Sequence, residues 1–157
     1  MSALKNVPSA LSRAGLTSAL TLALAGGAML APGAQTEAAA ATPGAKALAV
    51  AASKKGSPYQ YGASGPYRFD CSGLTLYAFK RVGKSLPRTA AQQYNRTSHI
   101  SAGSRQPGDL VFFHSGGSIY HVGIYAGGGK VWHSPKTGST VRLERIWTGS
   151  VKYGRVR

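Results

Sequence analysis

Tyr120-His121-Val122-Gly123-Ile124-Tyr125-Ala126-Gly127-Gly128-Gly129-Lys130-Val131-Trp132-His133 reads as two strands closed by glycines. With Gly127, Gly128 and Gly129 as the loop, Ala126 pairs with Lys130. Val122, Ile124 and Trp132 then share one apolar face. His121, Gly123, Val131 and His133 share the other, with His121 opposite Pro135 and His133 one diagonal step away. A loop shifted to residues 126–128 pairs the two histidines directly and also keeps them on one face. A two-residue loop puts them on opposite faces, because strand side chains alternate. The apolar grouping favours the three-glycine loop, and diagonal neighbours on one face can touch.

Further strands are expected on both sides of this hairpin. Pro107-Gly108 marks a turn, and residues 109–114 enclose the apolar run Leu110-Val111-Phe112-Phe113. Gly116-Gly117 breaks that strand before 120–126. Residues 130–134, 140–145 and 151–157 complete the set. Upstream the pattern changes. Residues 45–55 are rich in Ala, Lys and Leu and stop at Gly56, a helix signature. Residues 56–68 hold glycines and prolines among Tyr59, Tyr61 and Tyr67, and read as a loop. From Cys71 or Ser72 to Val82, Leu74, Leu76, Tyr77, Ala78 and Phe79 mark a buried helix with Asp70 as its N-cap and Gly83 as its stop. Thr89 caps a short helix through Tyr94. Helices followed by an antiparallel sheet make an α+β domain.

The first forty residues differ in kind. Lys5 and Arg13 precede an apolar stretch from Leu16 to Ala31, and small residues follow. This is the pattern of a secretory signal peptide, expected over 1–40 and cleaved within 31–42. The apolar stretch is too short and too diluted for a membrane span, so no stable membrane insertion is expected after cleavage. The remaining domain, 41–157, keeps Asp70, Asp109 and Glu144 as its acids and has a formal charge of +14. Such an excess favours polyanions, and outside a bacterial cell the nearest is an anionic cell wall. The basic residues are scattered rather than gathered in a tract, so no nucleic acid partner is expected.

Cys71 is the chain's one cysteine. Exported proteins usually pair their cysteines, so an odd one points to a thiol kept for chemistry. A thiol at a helix start, a base and a group that orients the base make a nucleophilic site. Cys71, His121 and His133 fill these roles: nucleophile, base, and the residue that sets the base's tautomer. A thiolate–imidazolium pair would follow if Cys71 abuts the histidine face. Asp70 would raise the thiol pKa if aimed at sulfur, so its carboxylate is expected to cap the helix backbone instead. His99 reads as a solvated loop residue and His114 as a strand end. Arg88 suits either a substrate carboxylate or a structural ion pair. No third ligand stands at metal spacing from the two histidines, so neither metal nor other cofactor is expected.

Four segments together, Phe69-Asp70-Cys71-Ser72-Gly73-Leu74, Leu86-Pro87-Arg88-Thr89, Gln106-Pro107-Gly108-Asp109-Leu110-Val111-Phe112-Phe113 and His121-Val122-Gly123-Ile124-Tyr125, resemble the NlpC-type cell-wall cysteine peptidases over about residues 45–157. The resemblance implies a papain-like core with the cysteine at a helix start packed on a sheet. It implies a cell-wall enzyme that cleaves stem peptides of peptidoglycan, commonly after γ-linked D-glutamate; with the signal segment it is expected to be secreted, and a monomer is expected. On matching positions Cys71 is the nucleophile, His121 the base and His133 the third polar residue. Tyr59 matches a tyrosine whose hydroxyl points into the site, and Asp70 and Ser72 match residues lining the cleft. The rival expectations are a non-catalytic basic module that adheres to walls, and a cysteine amidase or acyltransferase on the same scaffold.

Overall fold

The computed structural model describes residues 40–157. The expected signal segment lies outside the described residues except for Ala40. Among the described residues, no helix is long and apolar enough to cross a membrane.

Three helices come first: α1 (Pro43–Ser53), α2 (Cys71–Lys80) and α3 (Ala90–Arg96). Each has a side-chain cap on its N-terminus, which supplies an acceptor to an otherwise unpaired N–H. Thr42 accepts from the Ala45 N–H and Pro43 occupies the first turn, so α1 begins two residues earlier than its composition indicates. Asp70 caps α2 as expected. Thr89 caps α3 in a reciprocal box with Gln92, and α3 runs two residues past Tyr94.

Six strands follow: β1 (Ser98–Ile100), β2 (Leu110–Ser115), β3 (Ser118–Gly127), β4 (Lys130–His133), β5 (Arg142–Arg145) and β6 (Val151–Arg155). They form one antiparallel sheet in the order β1-β6-β2-β3-β4-β5. The α+β expectation holds. β1 is an addition to it. His99, expected in a solvated loop, lies on this strand, where its ring stacks on Tyr94 with centroids 3.9 Å apart. β1 escapes sequence reading because it is short and polar, and pairing with β6 creates it.

The helices cover one face of the sheet. Leu74, Ala78 and Phe79 from α2 and Ala47 and Ala51 from α1 pack with Leu110, Phe112, Val122 and Ile124, all fully buried. Burial of each large apolar side chain contributes about 1.5–3 kcal/mol relative to exposure. The other face carries a smaller cluster of Val111, Phe113, Tyr125, Val131 and Tyr153. Between α2 and α3 lies Gln93, fully buried. Its amide N–H donates to the carbonyls of Ser72 and Pro87, each at 2.9 Å, and its own carbonyl accepts from the Thr75 hydroxyl at 2.7 Å. This bond set anchors the first turn of α2 to the Pro87 segment, because a buried amide must be satisfied.

The hairpin register differs at its tip. Ile124 pairs with Trp132 and Tyr125 with Val131, as the three-glycine reading requires. At the end, however, Gly127 rather than Ala126 opposes Lys130, leaving Gly128 and Gly129 as a two-residue turn. The register shift at Ala126 inserts one residue and restores the alternation that a two-residue turn alone would lose. His121 and His133 therefore share a face despite the shorter turn.

Candidate active site

Residues 58–70 fold back across the start of α2. The Asp70 N–H donates to the Ala63 carbonyl at 2.9 Å and the Gln60 N–H to the Phe69 carbonyl at 3.1 Å. Gly73 permits this close approach: a Cβ there would lie 2.0 Å from the Ala63 oxygen and 2.9 Å from Asp70 Oδ1. The Ser134 hydroxyl, just past β4, donates to the Phe69 carbonyl at 2.8 Å and ties the loop to the sheet.

Asp70 is aimed at the backbone. Oδ1 accepts from the Gly73 N–H at 2.7 Å and Oδ2 from the Gly62 N–H at 2.9 Å. Arg88 donates to both oxygens and also to the Ser72 hydroxyl at 2.9 Å. Of the two expectations for Arg88, the structural ion pair is therefore the one observed. Burial alone would raise the Asp70 pKa, but Arg88 and the two N–H groups outweigh it and hold the carboxyl below its ordinary range.

Cys71 is partly exposed and its thiol is free. It opens onto a cleft of about 430 Å³ with Tyr59, Tyr61, Asp70, Ser72, Arg88 and Tyr120 among its lining. The registered β3–β4 pairs stop at Ile124 and Trp132, so β3 has an open edge toward its start. Cys71 packs against the core cluster that includes Val122, one residue from His121. Burial pushes the thiol pKa up. The Val122 N–H lowers it, Asp70 raises it, and the Ser72 N–H and hydroxyl lower it. Tyr59 has its phenol pKa raised by burial and then by Cys71 and Asp70, so it remains a hydrogen-bond donor beside the thiol.

His121 and His133 meet as their shared face requires. Nε2 of His121 lies 2.9 Å from Nδ1 of His133. Both are buried, His133 completely. Burial, and then His133, lower the His121 pKa to about 3. His133 is also lowered, by burial above all, with Glu144 opposing the shift. These surroundings favour a neutral thiol and neutral imidazoles in the free protein. They do not favour the ion pair that a helix start and a nearby base suggest, because burial penalises each charge.

Two side chains at this site went unread in the sequence. Glu144 Oε2 lies 2.6 Å from His133 Nε2, and Arg142 Nε lies 3.0 Å from the same oxygen. Trp147 stacks on Phe113 with centroids 4.2 Å apart and lies 5.9 Å from the His121 ring and 5.3 Å from that of His133. The signal for Glu144 was available in its alternation on a strand that could border residues 130–133. Trp147 follows the last residue of β5 by two positions, and no periodicity marks it.

A cysteine at a helix N-terminus, packed on an antiparallel sheet whose open edge carries a histidine pair, is a papain-like α+β core. The sequence profile of the NlpC/P60 family matches residues 56–155, and the chain belongs to that family. Among similar proteins, the probable endopeptidase p60 of Listeria grayi is 50% identical over 86 residues, covering 55% of this chain and 17% of that one. The gamma-D-glutamyl-L-lysine dipeptidyl-peptidase of Bacillus subtilis is 42% identical over 91 residues, covering 56% and 31%. The solved NlpC/p60 domain of the peptidoglycan hydrolase SagA superposes with a TM-score of 0.65 at 34% identity, covering 73% of this chain and 97% of that one. The chain thus spans less than a third of the length of these two curated relatives.

Proposed function

We propose that this domain is a secreted cysteine endopeptidase that hydrolyses stem peptides of peptidoglycan, with Cys71, His121 and His133 as its catalytic residues. The observation that carries the proposal is the junction of α2 with β3: Cys71, at the helix start, packs against the core cluster that includes Val122, and the residue before Val122 makes the 2.9 Å contact from His121 to His133. Family membership supports the reaction class.

Cys71 attacks the scissile carbonyl as its proton passes to His121. The N–H groups at the start of α2 and the helix dipole stabilise the oxyanion. The amine leaves with the proton from His121, and a thioester remains. Water, deprotonated by His121, then releases the acid and restores the thiol. Because thiol and imidazole are both neutral beforehand, the proton moves during attack rather than in a resting ion pair. Tyr59, Asp70 and Ser72 border the cleft that takes the peptide. The named specificity of the Bacillus subtilis relative supports cleavage after γ-linked D-glutamate.

The charge distribution supports an anionic wall as the second partner. Each of the three acids in residues 40–157 is paired with an arginine: Asp70 with Arg88, Asp109 with Arg155 and Glu144 with Arg142. No acid among the described residues is left to oppose the other lysines and arginines, so the field attracts polyanions.

The test is digestion of purified peptidoglycan by the purified protein, with product masses read out. The expected products carry new amino termini inside the stem peptide, and Cys71→Ala yields none. Release at the sugar–peptide link would assign an amidase instead. Wall binding without any cleavage would assign an adhesive module.

A further inference from the structure

We infer that Glu144 is a positioning residue that sets the proton arrangement of both histidines from outside the cleft. The inference rests on the cysteine–histidine reading above.

His133 has both ring nitrogens engaged, Nδ1 with His121 and Nε2 with Glu144. A neutral imidazole offers one donor and one acceptor, and an ionised carboxylate only accepts. His133 must therefore donate its Nε2–H to Glu144. Its Nδ1 is then a lone pair and accepts from the Nε2–H of His121. That leaves Nδ1 of His121 unprotonated, the state a general base needs. One carboxylate thereby selects the tautomer of two rings in series.

The fold supplies this geometry through β5. His133 pairs with Arg142 and Val131 with Glu144, so Glu144 is a diagonal neighbour of His133 on the same face. Arg142, two residues earlier on the strand, binds the carboxylate and keeps it ionised. Without the carboxylate, His133 can place its proton on Nδ1 and donate to His121. His121 must then carry its own proton on Nδ1, where it cannot accept one from the thiol. Outer partners that fix the tautomer of a metal-bound histidine typically alter activity by about 10-fold to 100-fold, and an effect of the same order is expected here.

The experiment compares Glu144→Gln and Glu144→Leu with the unmodified protein, using ¹⁵N-labelled histidine spectra and steady-state kinetics on a soluble stem peptide. In the unmodified protein both rings are expected to carry the proton on Nε2. In Glu144→Gln, whose amide can face His133 with either its oxygen or its NH₂, the tautomers are expected to become mixed. kcat should fall roughly 10-fold to 100-fold with KM within about twofold. Glu144→Leu should fall further. The isosteric Gln variant carries the test if the Leu variant does not fold. Unaltered ring tautomers in Glu144→Gln, or unaltered kcat, would overturn the inference. The spectra answer this even if the unmodified protein proves inactive on peptides, an outcome that would count against the peptidase reading instead.

Discussion

The guanidinium of Arg88 grips both carboxylate oxygens of Asp70, the residue immediately before the proposed nucleophile. The pair draws an acidic group away from the sulfur and turns it into the cap of α2. It also joins the Leu86-Pro87-Arg88 segment to the loop before α2. Two of the four sequence motifs thus meet in one ion pair.

Arg88→Ala is expected to destabilise the domain by about 1–3 kcal/mol. Removing one member of a buried pair strands the other charge, but Arg88 is itself more than a third exposed, and solvent screens part of the loss. Arg88→Lys should recover only part, because an ammonium cannot bind both oxygens in the planar fork. Urea unfolding midpoints at pH 7 measure both. An Arg88→Ala midpoint equal to the parent's would show that Asp70 needs no counter-charge.

Gly123 sits under β4 with no room for a side chain. A Cβ there would lie 2.4 Å from Val131 Cγ2, 2.7 Å from the Trp132 carbonyl oxygen and 3.1 Å from His133 Cβ. Backbone cannot rotate away, so Gly123→Ala should displace β4 and cost about 1–3 kcal/mol. It should also lower kcat by roughly 10-fold or more, because His133 moves with the strand. Thermal melting and peptide hydrolysis measure the two effects.

The buried histidines make stability depend on pH. Their folded pKa values lie below the ordinary value of 6.5, so the unfolded chain binds more protons in the interval between. The stabilisation is complete above pH 6.5 and is lost as pH falls toward about 3, the value for His121. The expected slope is roughly 1 kcal/mol per pH unit for each histidine. A His133→Asn variant should show a shallower acid slope in denaturant titrations from pH 4 to pH 7.

Activity should keep its acid side at low pH for the same reason. The proposed base, His121, works only when neutral, and its lowered pKa keeps it neutral well below 6.5. Trp147 helps to cover both rings although half of its own surface is exposed. Trp147→Ala admits water, weakens the burial effect and should move the acid limb of kcat/KM upward toward 6.5. A pH–rate profile with an unmoved limb would assign the burial to other neighbours.

The fold class and the central residues were legible in local patterns. The helix signature after Asp70, the glycine-rich hairpin and the alternation of Val122, Ile124 and Trp132 need only neighbours in sequence. They led to the α+β class and to a shared face for His121 and His133. Boundaries were less legible: the tip of the hairpin closes with a bulge at Ala126, which depends on how β3 twists against β4. β1 was hidden because a three-residue polar strand has no period to read.

Sequence alone showed which residues could do chemistry here and, through the apolar grouping of Val122, Ile124 and Trp132, that His121 and His133 belong on one face; the bulge at Ala126 that keeps them there was set by strand pairing. Tertiary structure decided what surrounds them. Burial favours a neutral thiol and neutral rings, Asp70 took the Arg88 guanidinium, and β5 brought Glu144 to His133. Desolvation and long-range strand pairing act between segments distant in the chain, and no local pattern encodes them.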